Sequence, residues 1–272
     1  MLDTRKRQIR ISAGAFREQC KISRYGIIDL FKECERCGYK LIRYPLGENA
    51  DLGFTLKKDE DVIIFTNSCS RLSREIFTLA HELGHVLLHL NIEPSFIDTN
   101  MTIADRSDDI REQEANYFAA CLLMPSDEID RFIDLELPDF ERCSLSAMDI
   151  ARMMSEFNVS YDMSLNRLES LGKIDANKKI QLDTERNEKR VGNLLRSIGG
   201  NAKLNTPSEV IHLPYEYLDY VIYNFNHNAI PRETLEKALS YYRLTSEDVG
   251  DQLNENSDEV GDLDELIGGL ED

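Results

Sequence analysis

The chain has 272 residues, 42% of them hydrophobic, enough for one large domain or two ordinary ones. Its net charge of −18 argues against broad binding to nucleic-acid phosphates. No apolar run approaches the roughly 18 residues of a membrane span, and the N-terminus MLDTRKRQIR lacks a signal peptide's apolar stretch, so a soluble, cytoplasmic protein is expected.

Residues 1–12 are basic and read as frayed, and residues 13–37 read as helical. Ile27, Ile28, Phe31 and Cys34 line one side of that helix, and Gly38 is its expected stop. Tyr39–Tyr44 alternates like a strand, and Pro45 and Gly47 make a turn. Leu52–Leu56 and Val62–Thr66 read as two further strands, joined by the charged turn Lys57-Lys58-Asp59-Glu60. A small antiparallel sheet is predicted. Ser70 is a candidate cap for a helix running from about Arg71 to Leu90.

The polar stretch from Asn91 to Asp109 is too long for a mere connection and is expected to border a cleft. A second helix covers Ile110 to Leu123 and is stopped by Met124-Pro125. Ser126 can cap a short helix carrying Ile129, Phe132 and Ile133. Ser146 and Ser160 each precede a helical pattern, and Gly172 closes the second.

The chain turns polar and charged from Asp175 to Arg190, which places a domain boundary there. Three regions follow: a domain over 1–175, a mostly helical region over 176–246, and an acidic tail over 247–272. The middle region predicts helices over Glu185–Ile198, Pro214–Phe225, which is rich in tyrosine, and Pro231–Arg243. The tail holds eleven Asp or Glu and no Lys or Arg, which leaves −7 of the charge for the rest. Such a tail is usually solvated, and it could also steer a basic partner.

The chemistry concentrates in Phe77-Thr78-Leu79-Ala80-His81-Glu82-Leu83-Gly84-His85-Val86-Leu87-Leu88-His89. His81 and His85 are four apart and share one face of a helix, where two imidazoles can hold one Zn²⁺. Glu82 then lies beside the water that such a site activates. The segment is apolar nearly all round, so it is a buried helix. Two histidines and a glutamate are costly there unless something pairs them, and a metal would.

A third ligand should come from the next helix, which offers Glu112 and Glu114. The apolar stripe of that helix is Ala115, Phe118, Ala119, Leu122 and Leu123. At 100° per residue Glu112 lies about 50° from the centre of the stripe and Glu114 about 110°. Glu112 is therefore preferred, with Glu114 as the alternative. His89 and Tyr117 are candidates for the group that stabilises an oxyanion, and His89 otherwise reads as a support behind a ligand or as a partly exposed histidine near the helix end. His212 and His227 have no metal spacing. Cys34-Glu35-Arg36-Cys37 is a lone C-x-x-C, and all six cysteines read as small buried apolar residues.

The sequence from Phe77 to His85, followed by Glu112-x-x-Ala115-Asn116-x-Phe118-Ala119-Ala120-x-Leu122-Leu123-Met124-Pro125, resembles the signature of the ImmA/IrrE metallopeptidases. The resemblance covers roughly residues 15–173. It implies an α+β fold with a zincin-like core and the motif helix at its centre. It also implies zinc held by His81, His85 and Glu112, with Glu82 as the catalytic acid/base. The same ligands could hold manganese. The family's role implies an endopeptidase that cuts a helix-turn-helix repressor and so releases transcription.

Two other functions compete. Ile150–Ser160 followed by Tyr161–Gly172 resembles a helix-turn-helix joined at Asn158-Val159-Ser160. Its second helix carries only Arg167 as a base-reading cation, against Asp162 and Glu169, so a helical hairpin packed on the core is the preferred reading. In the other, residues 176–246 bind a signal or partner and gate the peptidase, through an aromatic-rich helix bearing Tyr215, Tyr217, Tyr220, Tyr223 and Phe225, although such a stripe is more often core than binding face.

Overall fold

The computed structural model describes residues 1–47, 50, 52–58, 60–90, 95–98, 109–137 and 145–254. Cys143, the tail from residue 255 and most of the expected cleft-bordering loop lie outside these.

In chain order the elements are α1 (Asp3–Arg17), α2 (Leu30–Arg36), β1 (Lys40–Tyr44), β2 (Gly53–Lys58), β3 (Asp61–Asn67), α3 (Leu72–Leu88), β4 (Ser95–Asp98), α4 (Ile110–Leu123) and α5 (Ser126–Glu136). Then come α6 (Ala147–Phe157), α7 (Tyr161–Ser170), α8 (Ala176–Lys189), α9 (Val191–Ser197), α10 (Tyr215–Asn226) and α11 (Arg232–Tyr241). The fold is α+β, a small sheet among many helices. No helix of the described residues is long and apolar enough to cross a membrane.

The sheet order is β1-β3-β2-β4, and it is mixed rather than antiparallel. β2 pairs antiparallel with both β3 and β4, but β1 runs parallel to β3, with Leu41 opposite Ile64. The connection from β1 to β2 reverses the chain, and the turn into β3 reverses it again, so β3 returns along β1. Helix α3 packs across β2 and β3 on one side and against α4 on the other.

The basic N-terminus is not frayed. It forms α1, which buries Ile9, Ala13 and Phe16, spaced four and three apart, against the core. Its arginines reach α4: Arg5 pairs with Glu114, Arg10 Nη1 donates to Tyr117 Oη at 2.9 Å, and Arg17 Nη1 donates to the Leu122 carbonyl at 3.0 Å. The helix expected over 13–37 is broken between Arg17 and Leu30. Asp29 starts the second piece by accepting from the Lys32 amide, and Gly38, at φ +89°, follows its end.

No side chain caps α3, so Ser70 does not serve as expected. Instead the Leu72 amide donates to the Thr206 carbonyl at 2.8 Å, and Arg71 bridges to Pro207. One turn on, Glu75 is buried and accepts from Arg43 Nε (2.8 Å), Arg43 Nη2 (2.9 Å), Thr66 Oγ1 (3.0 Å) and Ser208 Oγ (2.6 Å). These charge-assisted bonds tie β1, β3 and the 206–208 segment to the start of α3.

The expected serines do cap α6 and α7. Ser146 and Asp149 form a reciprocal box, and Ser160 accepts from the Met163 amide.

The chain forms two compact units, Met1–Val210 and Ile211–Asp272. The first continues through the charged stretch where the boundary was expected. Leu182 of α8, Leu194 and Leu195 of α9, and Leu204 are buried in the same core as α3 and α4. The second unit has its own small core, with Val221, Ile222 and Phe225 of α10 against Leu235, Ala238 and Leu239 of α11.

Candidate metal centre

His81, Glu82 and His85 sit in the middle of α3 and are fully buried. Glu112 lies in the first turn of α4, which begins where Asp109 accepts from the Arg111 amide. The two helices approach closely because residue 84 is glycine: a Cβ there would stand 3.0 Å from Ala115 Cα and 3.2 Å from its carbonyl oxygen. Ala115 is one turn beyond Glu112, so this contact sets how near the carboxylate comes to the histidines.

The result is a tight triangle. His81 Nε2 and His85 Nε2 are 3.0 Å apart. Glu112 Oε2 is 3.2 Å from the first and Oε1 is 3.4 Å from the second. Each residue offers one ligand atom to a common point, and these atoms lie within 4.8 Å of one another. Glu114 does not join them. It faces the other way, onto His89 and Arg5.

The outer contacts fix the tautomers. His81 Nδ1 is 2.9 Å from Asn116 Oδ1, an atom that only accepts, so Nδ1 carries the hydrogen. His89 Nε2 is 3.0 Å from Glu114 Oε2, and His89 Nδ1 is 3.1 Å from His85 Nδ1. Burial lowers the His89 pKa against the opposing pull of Glu114, which favours the neutral ring. A neutral His89 that donates from Nε2 must accept at Nδ1, so His85 Nδ1 carries a hydrogen too. Both Nε2 lone pairs then point at each other and at a carboxylate.

Three acceptors facing one another in a buried place demand a cation. Among the described residues Glu112 Oε2 has no hydrogen-bond partner, although it is buried. The separations also suit a metal: a tetrahedral site with bonds of roughly 2.0–2.1 Å has ligands about 3.3 Å apart. The donor set of two imidazoles and a carboxylate fits zinc or another divalent ion.

Glu82 is aimed from the sheet. Thr55 Oγ1 of β2 donates to Glu82 Oε2 at 2.6 Å. Two residues back on the same strand face, Gly53 leaves room for it: a Cβ at 53 would stand 2.8 Å from Glu82 Oε1 and 2.6 Å from Thr78 Cγ2. The sequence reading missed Thr55, Gly53 and Arg5. The polar threonine in an apolar strand was a usable signal for the first, and Arg5 had none.

Other candidates fall elsewhere. Tyr117 bonds to Arg10 and His89 to Glu114, and these contacts place neither as an oxyanion donor. His227 lies in the second unit, exposed, with Nδ1 on the Tyr223 carbonyl, and neither it nor His212 joins the metal group. Arg167, the one cation of the possible recognition helix, is buried and donates to the Met124 carbonyl at 2.9 Å. It is not available to read a base. Cys34 is buried in the core and Cys37 ends α2, both as free thiols.

The family profile described as Peptidase M78, the IrrE N-terminal-like domain, matches residues 34–169, half of the chain. No curated protein matches it.

Proposed function

Because the chain belongs to peptidase family M78, that of the IrrE N-terminal-like domain, we propose that it is a zinc-dependent endopeptidase with a zincin-like core. The observation that carries this reading is the convergence of His81 Nε2, His85 Nε2 and the Glu112 carboxylate within 3.0–3.4 Å of one another. Those three residues would hold the metal. A divalent ion there supplies a Lewis acid that acidifies water and polarises a carbonyl.

The chain's own residues do the rest. Asn116 and His89 keep the two Nε2 lone pairs turned inward. Thr55 holds the Glu82 carboxylate in one rotamer beside His81. Glu82 takes a proton from the attacking water and passes it to the leaving amine nitrogen. Burial of Thr55, Glu82 and His89 keeps other water from them and strengthens each charge interaction.

The proposed substrate is a helix-turn-helix transcriptional repressor, and the proposed setting is the cytoplasm, where such a repressor acts. The reading of this site and the resemblance of its two signatures support that assignment. A second reading, in which the C-terminal part gates cleavage, is favoured by the separate core of Ile211–Asp272. The test is incubation of the zinc-loaded protein with a repressor encoded beside it. Cleavage that stops with a chelator and in Glu82→Gln supports the assignment, and cleavage undiminished in Glu82→Gln overturns it.

A further inference from the structure

Resting on that metal-site reading, we propose that Arg5 and Glu114 are positioning residues for the ligand His85, acting through His89. On this view the N-terminal helix α1 is the outer layer of the metal centre, although it lies outside the span 34–169 that the family profile matches.

The two ligand histidines are supported differently. His81 Nδ1 meets a neutral amide, Asn116 Oδ1, at 2.9 Å. His85 begins a chain of three contacts. Its Nδ1 is 3.1 Å from His89 Nδ1, His89 Nε2 is 3.0 Å from Glu114 Oε2, and Glu114 takes Arg5 Nε on Oε1 at 2.8 Å and Arg5 Nη2 on Oε2 at 2.5 Å. The chain runs outward from buried to half-exposed: the His89 and Glu114 side chains are 3% and 9% exposed and that of Arg5 is 35%.

Each link constrains the next. The planar guanidinium grips both carboxylate oxygens, which fixes the plane of Glu114 and keeps its negative charge off the metal triangle. A fixed carboxylate holds His89 Nε2–H, which leaves His89 Nδ1 as the acceptor for His85. His85 Nε2 is then committed to the metal side. Outer partners of this kind typically change metal affinity 10–100-fold when removed.

A plain docking role for Arg5 is the competing explanation, since two more arginines also fasten α1 to α4. Arg10 supplies the contrast. It donates to Tyr117 Oη at 2.9 Å and reaches neither histidine in any of these contacts. If α1 mattered only as a packed helix, losing Arg10 would cost the metal site as much as losing Arg5.

The experiment measures zinc affinity by chelator competition in the full chain, for wild type, Arg5→Ala, Arg5→Lys and Arg10→Ala. Expected is a loss of about ten-fold for Arg5→Ala, a smaller loss for Arg5→Lys, and a change within about two-fold for Arg10→Ala. Imidazole N–H resonances of the zinc-loaded protein give a second readout. The His89 Nε2 proton should exchange faster with solvent in Arg5→Ala and as in wild type in Arg10→Ala. Should Arg5→Ala fail to fold, Arg5→Lys against Arg10→Ala carries the same comparison, because lysine keeps the charge and loses the paired grip. Equal losses in the Arg5 and Arg10 variants, or an unchanged His89 proton, overturn the proposal and leave the peptidase reading intact. A wild-type protein that binds no zinc or other divalent ion overturns both.

Discussion

Thr55 Oγ1 and Glu82 Oε2 are 2.6 Å apart, joining the second strand of the sheet to the motif helix at the one carboxylate assigned to proton transfer. Hydrogen bonds to a charged group contribute about 1.5–3 kcal/mol. Replacing Thr55 by Val keeps the shape and removes the donor. We expect kcat/KM for peptide hydrolysis to fall roughly ten- to a hundred-fold, as that energy implies, with zinc affinity nearly unchanged. Parallel hydrolysis and zinc titrations check it. A loss of zinc affinity matching the loss of rate would place Thr55 with the metal ligands instead.

Glu112 and Glu114 should separate cleanly in metal binding. Glu112 touches both ligand histidines, whereas Glu114 meets His89. Glu112→Ala removes a carboxylate from the triangle and should weaken zinc binding beyond the roughly 10–100-fold range of an outer partner. Glu114→Ala should fall inside that range. Competition with a calibrated chelator decides the order, and equal losses would contradict the geometry.

The side of α4 on which each glutamate lies was already legible in the sequence, for a physical reason. Helical period places a residue on a face, and the face of Glu112 toward Ala115, Phe118 and Ala119 is the one that meets α3. His81 and His85 are legible in the same way. The route from Arg5 through Glu114 to His89 is not, because its outer link joins Arg5 to Glu114, 109 positions apart, and leaves no trace in local spacing. The first part of α1, read as frayed up to residue 12, was missed because Ile9 stands among charged neighbours, and its value appears only once α4 is beside it. The parallel pairing of β1 with β3 is likewise long-range. A strand's alternation says which side is buried and nothing about its partner's direction.

Gly84 should be intolerant of even one added methyl. Its Cβ would meet backbone, Ala115 Cα at 3.0 Å, so α4 itself must shift. Alanine gains up to about 1 kcal/mol from helix propensity, but overpacking a tight contact costs about 1–3 kcal/mol. We expect Gly84→Ala to lower Tm and weaken zinc binding together, since α4 carries Glu112. Gly14→Ala in α1 is the control, with nothing within 4 Å of the added carbon, and it should keep or raise Tm. Thermal unfolding with and without zinc measures both. A Gly84→Ala protein as stable and as tight as wild type would mean that the helices have slack.

Where the chain can be cut follows from the core rather than from the charge pattern. A fragment ending at residue 175 discards Leu182, Leu194, Leu195 and Leu204, each at most 3% exposed within the same core as the motif helix. Each such leucine contributes about 1.5–3 kcal/mol by burial. Together they approach the whole net stability of an ordinary domain, about 5–15 kcal/mol. The same cut removes Ser208, which donates to buried Glu75 at 2.6 Å, and the Thr206 carbonyl that receives the Leu72 amide. A fragment of residues 1–210 retains all of these contacts. We therefore expect residues 1–210 to unfold cooperatively and to bind zinc near the full-length affinity, and residues 1–175 to be aggregated or without a sharp transition. Calorimetry and zinc titration of the two fragments provide the check. Only the longer fragment is then a fair test of gating by the C-terminal unit, because loss of activity in the shorter one would report a broken core.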